Sequence, residues 1–136
     1  MTPADMALLH ARSFTLPRPW SEAEIGALLQ SPLCFVRMRP GGFVMGRVVA
    51  DEAEVLTVAV DPAARQQGTG TALMAEFVTE AARRGAVSAF LEVAETNTAA
   101  RALYARAGFT LQGRRVGYYR GQGGEIVDAL VLSRAV

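Results

Sequence analysis

The sequence predicts one α/β (α+β) domain, in which four helices flank a mixed, mostly antiparallel central sheet of about six strands. Three observations lead to this prediction. The chain has 136 residues, the length of one domain with one core, so we expect residues 1–136 to form a single domain. Hydrophobic residues make up 51% of the chain, which is enough for a compact core. Helical and strand patterns follow one another in the order ααβββαβαββ.

Start signals mark the first two helices. Pro3 suits the first turn of one helix, and Ser21 with Glu24 forms a capping box at the start of the other. Residues 17–19, with two prolines, break the chain between them. The positions predicted to be buried on these helices are Met6, Leu9, Ser13 or Phe14, Ile25, Leu28 and Leu29.

The next three segments read as strands over residues 33–38, 43–50 and 53–60. The turns between them, residues 39–42 and Asp51 with Glu52, are too short for a crossover connection. We therefore expect an antiparallel meander.

A glycine-rich loop follows the third strand. Asp61 and Pro62 signal a turn, and residues 65–70 read R-Q-Q-G-T-G before a helical pattern that starts near Thr71. A strand, a glycine loop and a helix start together form an anion cradle, because free backbone N–H groups and the positive end of the helix dipole point into the loop. The helix is predicted to end at residues 83–85. Its core positions are Leu73, Met74, Phe77, Val78, Ala81 and Ala82.

Two familiar phosphate-binding motifs match this loop poorly. A P-loop requires a lysine after its last glycine, and none follows Gly70. The dinucleotide fingerprint requires a third small residue where Leu73 stands, although Glu92, 22 positions after Gly70, would meet its requirement for an acidic residue. The remaining form, R-x-x-G-x-G, resembles the loops that hold the pyrophosphate of coenzyme A.

The last third of the chain alternates strand and helix. Residues 87–94 form a strand, residues 98–107 a helix with Asn97 as N-cap, and residues 109–115 and 126–132 two closing strands around a polar loop at 117–124. The helix between the third and fourth strands should be a right-handed crossover, which makes those two strands parallel.

Composition excludes several classes of function. The net charge is +1, without the basic excess of a nucleic-acid-binding domain. No apolar stretch has membrane-spanning length, and the N-terminus lacks the plan of a signal peptide. Cys34 is the only cysteine, which fits a reducing cytoplasm, and His10 has no Cys/His cluster around it to bind a metal. We expect a cytoplasmic protein with no metal, nucleic-acid or membrane partner.

A second motif points to the ligand of the glycine loop. Residues 91–109 carry the pattern L-E-V-x-x-x-N-x-x-A-x-x-L-Y-x-x-x-G-F, and residues 60–70 carry V-D-P-x-x-R-x-x-G-x-G. In this order the two motifs resemble the GCN5-related N-acetyltransferase (GNAT) superfamily, and within it the bacterial ribosomal-protein-alanine N-acetyltransferases. The resemblance runs roughly from Met6 to Leu132. It implies the GNAT fold and acetyl-CoA as co-substrate. Relatives usually have a further strand before the first helix, which this chain lacks.

The resemblance also implies the site residues. Glu92 corresponds to the proposed general base of the family and Tyr104 to the proposed general acid. The acceptor would be a protein N-terminus, the ribosomal substrate presenting a basic peptide that Asp51, Glu52, Glu54 and Glu95 could face, or a small amine. The residues expected to bind acetyl-CoA are Val58, Ala59, Val60, Arg65, Gln66, Gln67, Gly68, Thr69, Gly70, Thr71, Asn97 and Tyr104.

The chemistry of amide formation agrees with these roles. An acceptor α-ammonium has a pKa near 8, so modest help from a base suffices, and protonating the leaving thiolate assists the reaction. Glu92 lies on a strand whose alternate residues Leu91 and Val93 face the other side, and Tyr104 lies on the next helix with Leu103 turned to the core.

Simpler interpretations remain for each residue: Glu92 as a solvated strand residue, Tyr104 as a core aromatic, Asn97 as an N-cap alone and Arg65 as a solvated cation. Two departures bear on the acceptor, since relatives often have arginine where Ala94 stands and an acidic residue where Val127 stands. The alternatives are therefore acetylation of a small-molecule amine or a lysine, or coenzyme A binding without turnover.

Overall fold

The computed structural model describes residues 1–13, 19–121 and 123–136. Its helices are α1 (Pro3–Ser13), α2 (Glu22–Gln30), α3 (Thr69–Arg83) and α4 (Thr98–Arg106), with a short 3-10 turn at Pro62–Ala64. Its strands are β1 (Cys34–Arg39), β2 (Gly42–Val49), β3 (Glu52–Val60), β4 (Ser88–Ala94), β5 (Thr110–Arg120) and β6 (Ile126–Ala135). The predicted fold class and element order are confirmed. Phe14, Pro17 and Arg18 lie outside the described residues, as does Gln122 of the predicted loop.

The six strands form one sheet in the order β1-β2-β3-β4-β6-β5. The first three pair antiparallel in sequence, as the short turns predict. β3 and β4 are parallel because α3 connects them, and β6 lies antiparallel between β4 and β5. The predicted meander and the parallel crossover pair are both confirmed.

Each face of the sheet has its own core. Phe77 and Leu73 of α3, with Leu91 of β4, belong to the larger cluster beneath α3 and α4. Met6 of α1 and Ile25 of α2 pack with Phe43, Met45 and Ala59 on the opposite face. Alternation along the strands sends neighbouring residues to the two faces, so the sheet is covered on both sides.

A bulge in β3 opens the sheet. Met45 pairs with Thr57 and the next residue, Gly46, pairs with Val55, so Leu56 is an extra residue in β3. Leu56 packs against the α1/α2 core and Thr57 lies within hydrogen-bond distance of His10 of α1. Two consecutive residues therefore point to the same face of the sheet instead of alternating. Within the described strands, the pairing of β3 with β4 ends at Glu54 and Phe90, just before the bulge. Because a bulge bends and twists its strand, β3 and β4 then diverge, and the end of β3 has no strand paired with it on that side.

Local signals placed most element ends within two residues, with three instructive differences. α3 begins at Thr69 rather than near Thr71, because Gly68 takes the left-handed conformation (φ 78°) immediately before it. β5 continues to Arg120 through an irregularity between Arg115 and Tyr119, so the first half of the predicted loop at 117–124 is strand.

The third difference lies on α3. Ala82, predicted to be core, is exposed, whereas Glu80 is buried. Glu80 is buried because three arginines surround its carboxylate. The Nε atoms of Arg83 and Arg84 lie 3.0 and 2.7 Å from its oxygens, and Arg37 of β1 also pairs with it.

The predicted helix caps are present. The capping box at Ser21 and the cap at Asn97 are confirmed.

Candidate active site

The start of α3 is built to hold an anion. Gly68 is its N-cap, and no side chain caps the helix. The first-turn N–H groups of an α-helix have no acceptor within the helix, so those of Thr69, Gly70 and Thr71 are available to a ligand at the positive end of the dipole. Gln66 also has a positive φ, 65°, so the chain turns sharply twice before the helix begins. These features fit a pyrophosphate better than a neutral group.

A cleft of about 560 Å³ lies beside this helix start, within the size range of ligand pockets. Its walls are the end of β3, the loop and first turn of α3, and one face of α4. The predicted residues that line it are Val58, Val60, Arg65, Gln66, Gly68, Thr69, Gly70, Thr71, Asn97 and Tyr104.

Three predicted residues lie elsewhere. Ala59 is buried in the α1/α2 core, since alternation turns its side chain away from Val58 and Val60. Gln67 is exposed, and its amide lies 3.4 Å from the carbonyl oxygen of Ala63, to which it donates. Glu92 does not line the cleft.

Tyr104 reaches the cleft from the core. Its ring is 6% exposed and meets Phe109 edge-on, with the ring centroids 6.2 Å apart. Among the described residues no fully buried side-chain oxygen or nitrogen lacks a hydrogen-bond partner, and Tyr104 is one of the residues that line the cleft. Burial, with a smaller contribution from Tyr119, raises the pKa of Tyr104, which keeps the phenol protonated at neutral pH.

Two neighbours of Tyr104 complete this wall. Leu103 is half-buried rather than turned fully to the core: it packs at the edge of the core and also lines the cleft. The side-chain oxygen of Asn97 accepts from the N–H of Ala100 at 3.1 Å, so the residue caps α4. Its NH₂ group is the part that can donate to a ligand.

Glu92 lies on the other face of β4 from Tyr104. Its neighbours Leu91 and Val93 belong to the core under α3 and α4, so Glu92 points away from that core. Its Oε1 is 3.0 Å from Nε of Arg115, and its side chain is 23% exposed. Burial and, second, the charge of Glu92 raise the pKa of Tyr119 to about 12. Tyr119 therefore lies within the electrostatic reach of both Glu92 and Tyr104.

Several site residues were missed by the sequence argument. Thr96, Ala99, Ala102 and Arg106 line the cleft. The last three recur at helical spacing on one face of α4, so extending the helix pattern past Leu103 would have found them.

Arg115 was also missed. It spans from β5 to β4 across the intervening β6, a contact that no local pattern indicates.

Across 1–13, 19–121 and 123–136, no cluster of His, Cys, Asp or Glu could hold a metal ion. His10 is buried instead, 3.0 Å from the Thr57 hydroxyl. None of the described helices is long and apolar enough to cross a membrane.

The model of the acetyltransferase (GNAT) family matches residues 6–109. The chain belongs to this family. It is therefore an acetyl-CoA-dependent N-acetyltransferase, and the resemblance seen in the two motifs is confirmed. The cleft beside α3 suits the co-substrate that the family uses.

Curated relatives and solved structures agree. The chain is 34% identical over 119 residues to the [ribosomal protein bS18]-alanine N-acetyltransferase of Escherichia coli K12, which covers 85% of this chain and 80% of that protein. It is 38% identical over 137 residues to the N-alpha-acetyltransferase RimI of Mycobacterium tuberculosis, covering 94% and 83%. The crystal structure of the E. coli ribosomal-protein-S18-alanine N-acetyltransferase superposes with a TM-score of 0.84 at 31% identity, covering 98% of this chain and 86% of that one. Arabidopsis thaliana NAA60 in complex with acetyl-CoA shares the fold, with a TM-score of 0.85 at 18% identity over 99% and 93%.

Proposed function

We propose that this acetyltransferase, acting as one domain over residues 1–136, acetylates the N-terminal α-amine of a protein, in particular a ribosomal protein that begins with alanine. The single observation that carries the reaction is the Tyr104 hydroxyl at the wall of the cleft, beside the anion-binding start of α3. The acceptor is supported by the relatives, which are an alanine N-acetyltransferase and an N-alpha-acetyltransferase.

Acetyl-CoA would occupy the cleft along its length. The pyrophosphate fits the backbone of residues 66–71, with Arg65 and Arg106 as the cations among the lining residues. The pantetheine arm fits the end of β3 at Val58–Val60, where the strand has left β4 and can pair with an extended ligand. Asn97 would donate to the same arm.

Tyr104 would serve as general acid. In the reaction a C–N bond forms, the thioester C–S bond breaks, and the thiolate takes a proton. The phenol is protonated at neutral pH, so it can donate a hydrogen bond, and then its proton, to the sulfur as the C–S bond breaks. Its position among the residues that line the cleft would bring that proton near the acyl end of the ligand.

Glu92 would accept the proton from the attacking amine. Tyr104 and Glu92 lie on opposite faces of β4, and the gap between β3 and β4 is the one place where both could address the same acetyl group. The acceptor would enter from the α1/α2 face, on which Glu92 lies beside Arg115 and Tyr119.

A peptide-panel assay tests the proposal. Peptides that begin with alanine or serine, a lysine peptide with a blocked N-terminus, and a polyamine are incubated with acetyl-CoA, and free thiol and product mass are followed. We expect transfer to the alanine peptide and little to the other amine classes. Preference for the polyamine or lysine would replace the acceptor assignment, and acetyl-CoA binding without thiol release would indicate a non-catalytic binding protein.

Matched variants test the two roles. Tyr104→Phe should lower kcat at least about 100-fold while the Kd of acetyl-CoA stays within about 2-fold, since only the proton donor is removed. Tyr118→Phe, an exposed tyrosine outside the cleft, is the control. Glu92→Gln should also lower kcat, and more strongly at low pH. Full activity in Tyr104→Phe would exclude the acid role.

A further inference from the structure

The carboxylate of Glu92 already has a cationic partner. Nε of Arg115 lies 3.0 Å from Oε1, and the guanidinium of Arg115 sits 5.3 Å from the ring centroid of Tyr118. The Arg115 side chain is 56% exposed, against 23% for Glu92, so the cation stands on the outer side of the pair. An amine that approaches Glu92 therefore meets a permanent positive charge before the carboxylate.

Several other carboxylates of the described residues are paired with other arginines. Glu95 and Asp128 both bind Arg114, whose Nη1 lies 2.5 and 2.8 Å from their oxygens. Of the other acidic residues suggested to face the acceptor, Glu54 pairs with Arg47 at 2.7 Å. Asp51 and Glu52 lie at the β2–β3 turn, at the far end of β3 from the cleft.

Two tyrosines near Glu92, Tyr104 and Tyr119, are neutral near pH 7. Tyr118 and Tyr119 share β5 with Arg115, and Tyr104 reaches in from α4. The pKa values of Tyr104 and Tyr119 are raised, so neither becomes an anion that could attract an ammonium near neutral pH. The Glu92–Arg115 pair is thus close to neutral overall, with its positive member facing outward.

Acceptor amines differ most in the fraction of molecules that is uncharged near neutral pH. An N-terminal α-amine has a pKa of about 7.7–8.0, so roughly a third of it is neutral at pH 7.5, whereas a lysine amine with a pKa of about 10.4 is neutral in about one molecule per thousand. A site that repels ammonium but admits the free amine will favour the α-amine for this reason alone.

We propose that Arg115 is a specificity-determining residue, which restricts the acceptor to amines that are uncharged near neutral pH and so selects N-terminal α-amines over lysine and polyamines. The proposal rests on the proposed function, because it requires Glu92 to be the group that receives the amine. Arg115 acts through charge and through its hold on Glu92, without taking part in proton transfer.

The test compares two acceptors on charge variants of one position. One peptide has a free N-terminal alanine and no lysine, and the other has the same length, a blocked N-terminus and one lysine. We expect Arg115→Gln to raise the ratio of kcat/KM for lysine over α-amine by about 10-fold, mostly through KM, and to extend activity on the alanine peptide to lower pH. Arg115→Lys should keep the wild-type ratio, since it keeps the cation.

Arg39→Gln is the matched control, because Arg39 is a half-exposed arginine of β1, at the opposite edge of the sheet from Arg115, and pairs with Glu76 rather than Glu92. It should leave the ratio unchanged. Raising the salt concentration should move the wild-type ratio toward that of Arg115→Gln, because the half-exposed guanidinium is screened by ions.

Equal losses on both acceptors in Arg115→Gln, or the same ratio in the Gln and Lys variants, would overturn the proposal. Such a result with an active wild-type enzyme and an impaired Glu92→Gln leaves the proposed function intact. A wild-type enzyme that acetylates neither peptide, or an unimpaired Glu92→Gln, would overturn both.

Discussion

Gly70 and Leu103 meet where α3 passes α4 beside the cleft: a Cβ on Gly70 would lie 3.2 Å from both Cδ atoms of Leu103. Gly70 therefore has two structural roles. Gly70 lets its own backbone approach a phosphate, and it also lets Leu103 lie against the first turn of α3. A side chain there would meet the wall of the cleft rather than empty space.

We therefore predict that Gly70→Ala has little effect on stability but weakens acetyl-CoA binding. Alanine gains up to about 1 kcal/mol of helix propensity, which offsets the displacement of a half-buried leucine by a few tenths of an ångström. The displaced Leu103 narrows the cleft, so the Kd of acetyl-CoA should rise several-fold by calorimetry. Adding Leu103→Ala should restore much of the lost affinity. Strictly additive effects of the two substitutions would contradict this coupling.

Substitutions of Gly68 test the backbone conformation at this position rather than the room for a side chain. Its φ is 78°, and a Cβ there would meet nothing within 4 Å. Gly68→Ala should cost about 1–2 kcal/mol of unfolding free energy, because L-residues are strained in the left-handed region. Gly68→Asn should cost less, since asparagine tolerates that region. The comparison is made by urea denaturation, and equal costs for the two variants would argue against a backbone origin.

The buried carboxylate of Glu80 leads to a prediction about the stability of the folded protein at low pH. Hydrogen bonds from Arg83, then Arg84, and the charge of Arg37 lower its pKa to about 2 from 4.5. Because the folded pKa is depressed, the contribution to stability is present above pH 4.5 and is lost as the pH falls toward 2. The lost contribution is at most about 3 kcal/mol. In Glu80→Gln the urea midpoint should be lower at pH 7 and should vary less between pH 5 and 2.

The buried His10 leads to a prediction about the stability of the folded protein in a different pH range. Its Nδ1 accepts the N–H of Trp20 at 3.0 Å, so in the neutral ring Nε2 carries the hydrogen and donates to the Thr57 hydroxyl. Burial, partly opposed by Glu24, lowers the pKa of His10 from 6.5 to about 4. Between these values the unfolded chain binds the extra proton, so folded-state stability should fall as the pH drops from 6.5 to 4, by at most about 3 kcal/mol.

The His10→Gln variant removes that titration. Its unfolding free energy should be nearly flat over this range, apart from the dependence it shares with the wild type through the carboxylates. Thr57→Val keeps the histidine but removes the acceptor of its N–H, and serves as the control. A wild-type profile that is flat between pH 4 and 6.5 would show that the pKa of His10 is not lowered in the folded protein.

The sequence predicted the glycine loop and the helix after it well, because turn chemistry is local. Gly68 and the helix start after it can be read from a few neighbouring residues, and the structure differs only in where α3 begins. The bulge at Leu56–Thr57 could not be read in the same way. The run from Val55 to Val60 has no glycine or proline to mark an irregularity, and the register depends on pairing with β2.

Non-local charge pairs explain the other misses. Arg83 and Arg84 lie three and four residues after Glu80 and make its pairing foreseeable, but Arg37 of β1 arrives from 43 residues away. Arg115 reaches Glu92 across β6, between strands that are not neighbours. The acceptor side of the site depends on such contacts, and for this reason sequence patterns described the co-substrate better than the acceptor.

The short seam between β3 and β4 has a mechanical consequence. Three pairs of residues, Glu52–Glu54 with Ser88–Phe90, join two three-stranded halves of the sheet into one. Beyond that seam only the core under α3 and α4 holds the halves at their distance. A ligand bound along the end of β3 would contact the region where the two halves of the sheet diverge. Binding should therefore reduce the motion of the two halves relative to each other, and not only the motion of the residues that line the cleft. Amides of β4 far from the ligand would then exchange with solvent more slowly when acetyl-CoA is bound.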